Sequence, residues 1–172
     1  ISFDGSDDRV GIFRPGGYQF SDQFTIELWI KPNTYQDYEG AISFGDVGGS
    51  DPSIGIAYFA TGWRFYLKTT DSIPDWPTMI AASAPSAQWT HLACTYDGSK
   101  KKLYRNGVLM EEQNMTGNIE WDVTDLYIGF FYSNSPNRYF DGNIDEIRVW
   151  DIVRTGAQIK GNKSVTLQGN EA

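Results

Sequence analysis

Apolar residues along this chain recur at every second position and almost nowhere at the three- and four-residue spacing of a helix, so the chain is built for sheet. Phe24, Ile26, Leu28 and Ile30 fall on one face of a strand whose other face carries Thr25, Glu27, Trp29 and Lys31. The run 89–97 (WTHLACTYD) predicts a second long strand. Shorter ones are predicted at 1–4, 9–13, 41–45, 54–59, 63–67, 78–82, 101–105, 108–113, 125–130 and 143–150. Asn106-Gly107, between KKLYR and VLMEE, is the strongest reversal among them, because a type I′ turn needs positive φ at both central residues. Asp97-Gly98 and Thr61-Gly62 mark two more. The one predicted helix is short and C-terminal, 155–161, with Thr155 as its N-cap and Gly161 as its stop. About a dozen short strands exceed what one open sheet holds without splitting, so the expected fold is all-β, an antiparallel two-sheet sandwich. With 172 residues, scattered glycine and proline and no internal repeat, a single domain over 1–172 is expected.

Two stretches carry a family resemblance, WTHLACTYDGSKKKLYRNGVL at 89–109 and YFDGNIDEIRVWDIVRTGAQI at 139–159. With FTIELWIKP and the opening ISFDGSDDRV, they resemble laminin-G-like domains of the concanavalin A-like lectin/glucanase jelly rolls, over residues 1–161. WTHLACTYDG is also similar to the pentraxins, which share that architecture. The resemblance implies a jelly-roll sandwich. It leaves the activity to be read from the site, because lectins, carbohydrate-binding modules, adhesion modules and glycan-cleaving enzymes all use this fold.

The glycan-cleaving members of the resembled group carry Glu-x-Asp-x-x-Glu along one strand, and that string is absent. Asp145 and Glu146, on a strand of regular alternation, would point to opposite faces and could not flank one glycosidic bond. The lone His91 sits in a core-forming strand with Cys94 on the opposite face, which disfavours a Cys–His pair. Lys100-Lys101-Lys102 reads as a solvated hairpin. The chain is expected not to be an enzyme. Its 14 basic against 22 acidic residues, a net charge of −8, argue against a nucleic-acid partner. No apolar run reaches the ~18–20 residues of a membrane span, so no membrane insertion is expected.

If successive strands alternate in direction, connections 32–39, 60–62, 83–88, 106–107 and 131–141 gather at one end. Asp4, Asp7 and Asp8 then approach Asp141 and Asp145, where carboxylates repel one another unless neutralised. Calcium, which takes about six to eight oxygen ligands, would neutralise them. Asp145 shares strand parity with Ile147 and Val149 and faces inward if they do. An inward carboxylate needs either a metal or backbone N–H donors, and both readings stand. The resemblance implies the first: a structural calcium tying the first strand to the last, through a carboxylate in the place of Asp145 and carbonyls near Asp4-Gly5. Asp4, Gly5 and Asp145 are accordingly the expected metal ligands. The ligand-bridging calcium of pentraxins is not expected, because Phe130-Phe131-Tyr132 stands where that family has acids.

The same end collects aromatic residues that a core does not require. Tyr132, Asn134, Arg138 and Tyr139 lie in 131–141, Tyr35 and Tyr38 in 32–39, and Trp63 opens the strand after 60–62. Rings complement the C–H face of a sugar and polar groups its hydroxyls. The rings either contact a ligand or cap the open end of the sandwich, and Trp76 is either a platform or a lid. The expected function is a noncatalytic carbohydrate-binding module of a larger, multidomain, secreted or cell-surface protein. Its glycan would be held by Tyr35, Tyr38, Trp63, Tyr132, Asn134, Arg138 and Tyr139. The alternative is a laminin-G-type protein–protein adhesion or spacer domain.

Overall fold

Period-two alternation is realised most fully in the strand Phe24–Pro32, where Phe24, Ile26, Leu28 and Ile30 are all fully buried in one core. The computed structural model describes residues 1–13, 22–45, 52–71, 86–121, 125–131 and 139–167. The predicted strand 78–82 and Trp76 lie outside them. Within them run β1 (Ser2–Asp4), β2 (Val10–Ile12), β3 (Phe24–Pro32), β4 (Gly40–Phe44), β5 (Ile54–Phe59) and β6 (Gly62–Leu67). There follow β7 (Thr90–Tyr96), β8 (Lys100–Arg105), β9 (Val108–Asn114), β10 (Leu126–Ile128), β11 (Asp141–Trp150) and α1 (Gly156–Asn162). They form a six-stranded sheet, β1-β11-β3-β7-β8-β9, and a five-stranded sheet, β2-β10-β4-β5-β6, every pairing antiparallel. This is the antiparallel two-sheet sandwich with one short C-terminal helix that the sequence pattern predicts, and the jelly roll that the resemblance implies.

The predicted turn chemistry holds at Asn106-Gly107 and at Gly98. The β5–β6 reversal, however, sits at Ala60-Thr61 with Gly62 already in β6, and α1 runs through Gly161, its expected stop, to Asn162. Asn106 and Gly107 take φ of 52° and 79°, as a type I′ reversal requires. Asn106 Oδ1 also accepts from His91 N at 2.9 Å, fixing the hairpin to the neighbouring strand. Thr155 caps α1 through a reciprocal capping box with Gln158.

Three departures from regular alternation matter. Between Asp145 and Arg148 the register of β11 against β3 shifts by one residue, with Glu146 at φ 49°. The bulge inverts parity, so Asp145 pairs with Trp29 on the outward face while Ile147 packs against the core. Asp145 is therefore exposed, which corrects its expected inward placement. Second, Lys101 is fully buried, because it shares the inward face of β8 with Leu103. Burial pushes its ammonium pKa down to about 8, and the solvated-hairpin reading fails at that residue.

Third, part of the outward face of the six-stranded sheet is covered. Helix α1 lays Ile159 against Ala93 and Tyr104 there. Beneath the same covering, Glu27 (0% exposed) meets His91 Nε2 at 3.3 Å and Arg154 Nε at 3.5 Å. Arg154 also stacks its guanidinium 4.0 Å over the Trp150 ring. A buried carboxylate is tolerated here because the Arg154 guanidinium and the His91 imidazole lie against it. Cys94 points the other way into the core, as expected, and burial raises its thiol pKa.

Candidate functional site

The pairing brings the predicted connections to one end. Pro32 pairs with Gly142 and Ile30 with Thr90, while Tyr38 N donates to Tyr58 O at 2.8 Å. Asp37 Oδ1 accepts from Ala60 N at 2.7 Å and so holds the β5–β6 turn, where Ala60 takes φ 57°. Tyr35 stacks on Tyr58 with ring centroids 4.6 Å apart, and its buried hydroxyl has no hydrogen-bond partner. Burial, and then the nearby Tyr58 and Glu39, raise its pKa. Tyr38, at φ 71°, leans its ring on Phe59 at 4.8 Å. Tyr139 bridges to Phe130 and rests on its ring at 4.9 Å. Tyr132, Asn134 and Arg138 lie outside the described residues.

Trp63 is a correction. It is fully buried, wedged between Tyr58 at 5.9 Å and Phe140 at 5.9 Å. Its parity in β6 is that of Phe65 and Leu67, so the indole belongs to the core and cannot touch a ligand.

What the rim surrounds is a cavity of about 230 Å³ on the outward face of the five-stranded sheet. Tyr38 and Phe59 enter it from the turn end, Ala57 and Arg64 from paired positions on β5 and β6, and Tyr66 and Phe131 from beside them. Gly55 makes room for the Phe131 ring, since a Cβ there would lie 2.5 Å from it. Phe131 in turn meets Tyr66 edge-on at 6.2 Å. Arg64 lays its guanidinium 4.5 Å over Phe59, and its buried Nε has no acceptor. No carboxylate lines the cavity among the described residues. Sequence reasoning missed Phe59, Arg64, Tyr66 and Phe131. The signal was the outward parity of Gly55 and Ala57 beside Arg64 and Tyr66, small residues against large ones on neighbouring strands, which carves a groove.

The acidic rim divides in two. Asp4, Asp7 and Asp8 place one carboxylate oxygen each within 4.8 Å of one another. Asp4 Oδ1 accepts from Ser6 N at 2.9 Å and Asp8 Oδ2 from Asp4 N at 3.2 Å. Gly5, at φ 77°, abuts Asp141 so closely that a Cβ would stand 2.9 Å from the Asp141 Cβ. Asp141 accepts from Asn33 Nδ2 and Thr34 Oγ1, and its backbone N–H donates to Glu39. Burial raises the Glu39 carboxyl pKa to about 7, against the N–H groups of Asp141 and Gln36, which lower it. These three exposed aspartates beside Gly5 could hold an oxygen-seeking cation. Asp145 does not join them: it stands four residues along β11 from Asp141, the partner of Asp4, about 13 Å at strand rise, and its Oδ1 accepts from Glu146 N at 2.9 Å. The bulge also brings Asp145 and Glu146 to one cavity instead of opposite faces, which removes that particular argument against catalysis.

A family model described as the concanavalin A-like lectin/glucanases superfamily matches residues 4–160. Mouse pappalysin-1 is 27% identical over 164 residues, 80% of this chain, and the chain spans only 9% of that protein's length. Domain 4 of AbnA, a GH43 extracellular arabinanase from Geobacillus stearothermophilus solved with arabinotriose, superposes with a TM-score of 0.66 at 23% identity. That match covers 83% of this chain and 67% of the other. The CBM40 of a Ruminococcus gnavus IT-sialidase, bound to α2,3-sialyllactose, gives 0.68 at 18% identity, covering 83% of each chain. This chain thus shares its fold with carbohydrate-binding modules.

Proposed function

This chain belongs to the concanavalin A-like lectin/glucanase superfamily, and from that membership we propose that it is a noncatalytic carbohydrate-binding module of a larger secreted or cell-surface protein. The glycan lies on the outward face of the five-stranded sheet. One observation carries this reading: a cavity ringed by Tyr38, Phe59, Tyr66 and Phe131, with Arg64 the one charged side chain of its described lining. A sugar offers an apolar face to Tyr38, Tyr66 and Phe131, and a hydroxyl or ring oxygen to Arg64. Tyr35 and Tyr139 border the same end. Tyr132, Asn134 and Arg138 follow Phe131 in sequence and remain part of the proposal. The absence of carboxylates from the cavity's described lining favours binding without cleavage. The 9% share of mouse pappalysin-1 supports a multidomain parent, and no described helix is long and apolar enough to cross a membrane.

A glycan array followed by calorimetric titration tests the assignment. Arg64→Ala and Tyr66→Ala are expected to weaken the best ligand at least about tenfold without changing the melting temperature. An array without a binding glycan would instead support the adhesion or spacer reading. Retention of affinity in both variants would move the site elsewhere.

We also propose a structural calcium ion held by Asp4, Asp7 and Asp8 beside Gly5, without Asp145. It would neutralise three neighbouring carboxylates and steady the chain between β1 and β2. Chelator is expected to lower the melting temperature and calcium to restore it, with Asp7→Asn insensitive to both. A parent protein indifferent to chelator would refute the ion.

A further inference from the structure

The bulge that turns Asp145 outward borders a second cavity, of about 390 Å³, on the six-stranded sheet between β11 and segment 163–166. Trp29 and Trp89 wall it, Asp145, Glu146 and Lys163 line it, and Arg148 lies beneath. Trp29 is held in place: Nε1 donates to Lys163 O at 2.7 Å, and the Lys163 ammonium stands 5.0 Å over the ring. Trp89 is 45% exposed, an indole that the core does not use.

Arg148 forms the floor of the cavity. Its side chain is 5% exposed. Its terminal nitrogens are spent on Asn162 O at 2.7 Å, Glu146 Oε2 at 2.9 Å and Val165 O at 2.8 Å. Its Nε is buried without an acceptor, an arrangement that costs free energy. Two carboxylates and two cations line the cavity, so it presents no net charge that would select an ion. Its volume falls within the range of about 300–1,000 Å³ typical of small-ligand sites. The chemistry required is a neutral group with an apolar face for an indole, donors for carboxylates and acceptors for cations.

We propose that this cavity is a second saccharide site. One neutral sugar unit stacks on Trp89, donates hydroxyls to Asp145 and presents an oxygen to the Lys163 ammonium. The proposal rests on the reading of the chain as a carbohydrate-binding module but uses the opposite sheet, so a single chain would hold two glycan segments at once. The exposed carboxylates of Asp145 and Glu146 then serve as hydroxyl acceptors.

The test follows the indole N–H signals of ¹⁵N-labelled protein and the ring signals of Tyr66. The titrants are methyl glycosides of glucose, galactose, mannose, arabinose and N-acetylglucosamine. The Trp29 and Trp89 signals are expected to shift together and saturably with at least one sugar. Trp89→Ala should abolish the Trp29 shift at unchanged melting temperature, Asp145→Asn should weaken it about tenfold, and Arg64→Ala should leave it intact. Shifts confined to Tyr66, with both indoles unmoved, would overturn the second site and leave the first standing. A Trp29 shift that survives Trp89→Ala would also overturn it, and silence from all these signals would overturn both sites.

Discussion

Replacing Trp63 by alanine separates a core indole from a ligand platform. An indole removed from water buries about 150–250 Å², worth about 4–6 kcal/mol at about 25 cal/mol per Å². Part of this is offset, because Trp63 Nε1 is buried without an acceptor. An orphaned donor costs about 1–3 kcal/mol, and that cost vanishes with the ring. The net loss for Trp63→Ala is therefore about 1–5 kcal/mol, and the usual Trp→Ala range of about 3–5 kcal/mol selects its upper part. At about 2–4 °C per kcal/mol for a domain of this size, a loss of about 3–5 kcal/mol lowers the melting temperature by roughly 6–20 °C. Trp63→Phe keeps most of the buried area and discards the orphan, so it should stay within about 1 kcal/mol of the parent. Urea unfolding followed by far-ultraviolet circular dichroism reads both variants without depending on the lost fluorophore. If Trp63→Ala unfolds within about 1 kcal/mol of the parent, or loses glycan affinity at full stability, the assignment of this ring to the core is wrong.

Two further predictions concern buried charge. The Glu39 carboxyl, raised from 4.5 to about 7, holds more protons folded than unfolded across that interval. Its stabilising contribution is fully present below pH 4.5 and is lost as pH rises through 7, so urea midpoints should fall over that window and Glu39→Gln should flatten the slope. Lys101 has the opposite shift, from 10.5 down to about 8, so its contribution is present above pH 10.5 and lost as pH falls through 8. Lys101→Met should accordingly raise neutral-pH stability by about 1–3 kcal/mol in chemical denaturation, and a destabilised variant would contradict that account.

The sandwich was legible because its signals are local. Alternation in 24–31 names the inward set of β3, and Asn106-Gly107 names its own turn type. Much of the site was not legible, because it depends on where one strand lies over another. The string DEIRVW alternates equally well with or without an extra residue, and only its pairing with Trp29 and Glu27 shows that Glu146 breaks the count. Trp63 follows a glycine and reads as the edge of a loop, although its partner Tyr58 carries it inward. Glu27 and His91 alternate with core residues as a solvent face would, and only helix α1, more than sixty residues downstream in the chain, shows why that face is dry. The cavity residues Arg64 and Tyr66 were passed over for the same reason, as the ordinary polar side of a strand.

Both ends of the described chain are anchored on one layer. Ile1 donates to Ile144 on β11, while Trp29 and Arg148 of the same sheet grip the carbonyls of Lys163, Asn162 and Val165. Load applied at Ile1 and at 162–165 would therefore enter through the six-stranded layer. The ring-lined hollow on the other layer is mechanically a passenger, so the glycan proposed to bind there would stay held while the layer behind it carries the load.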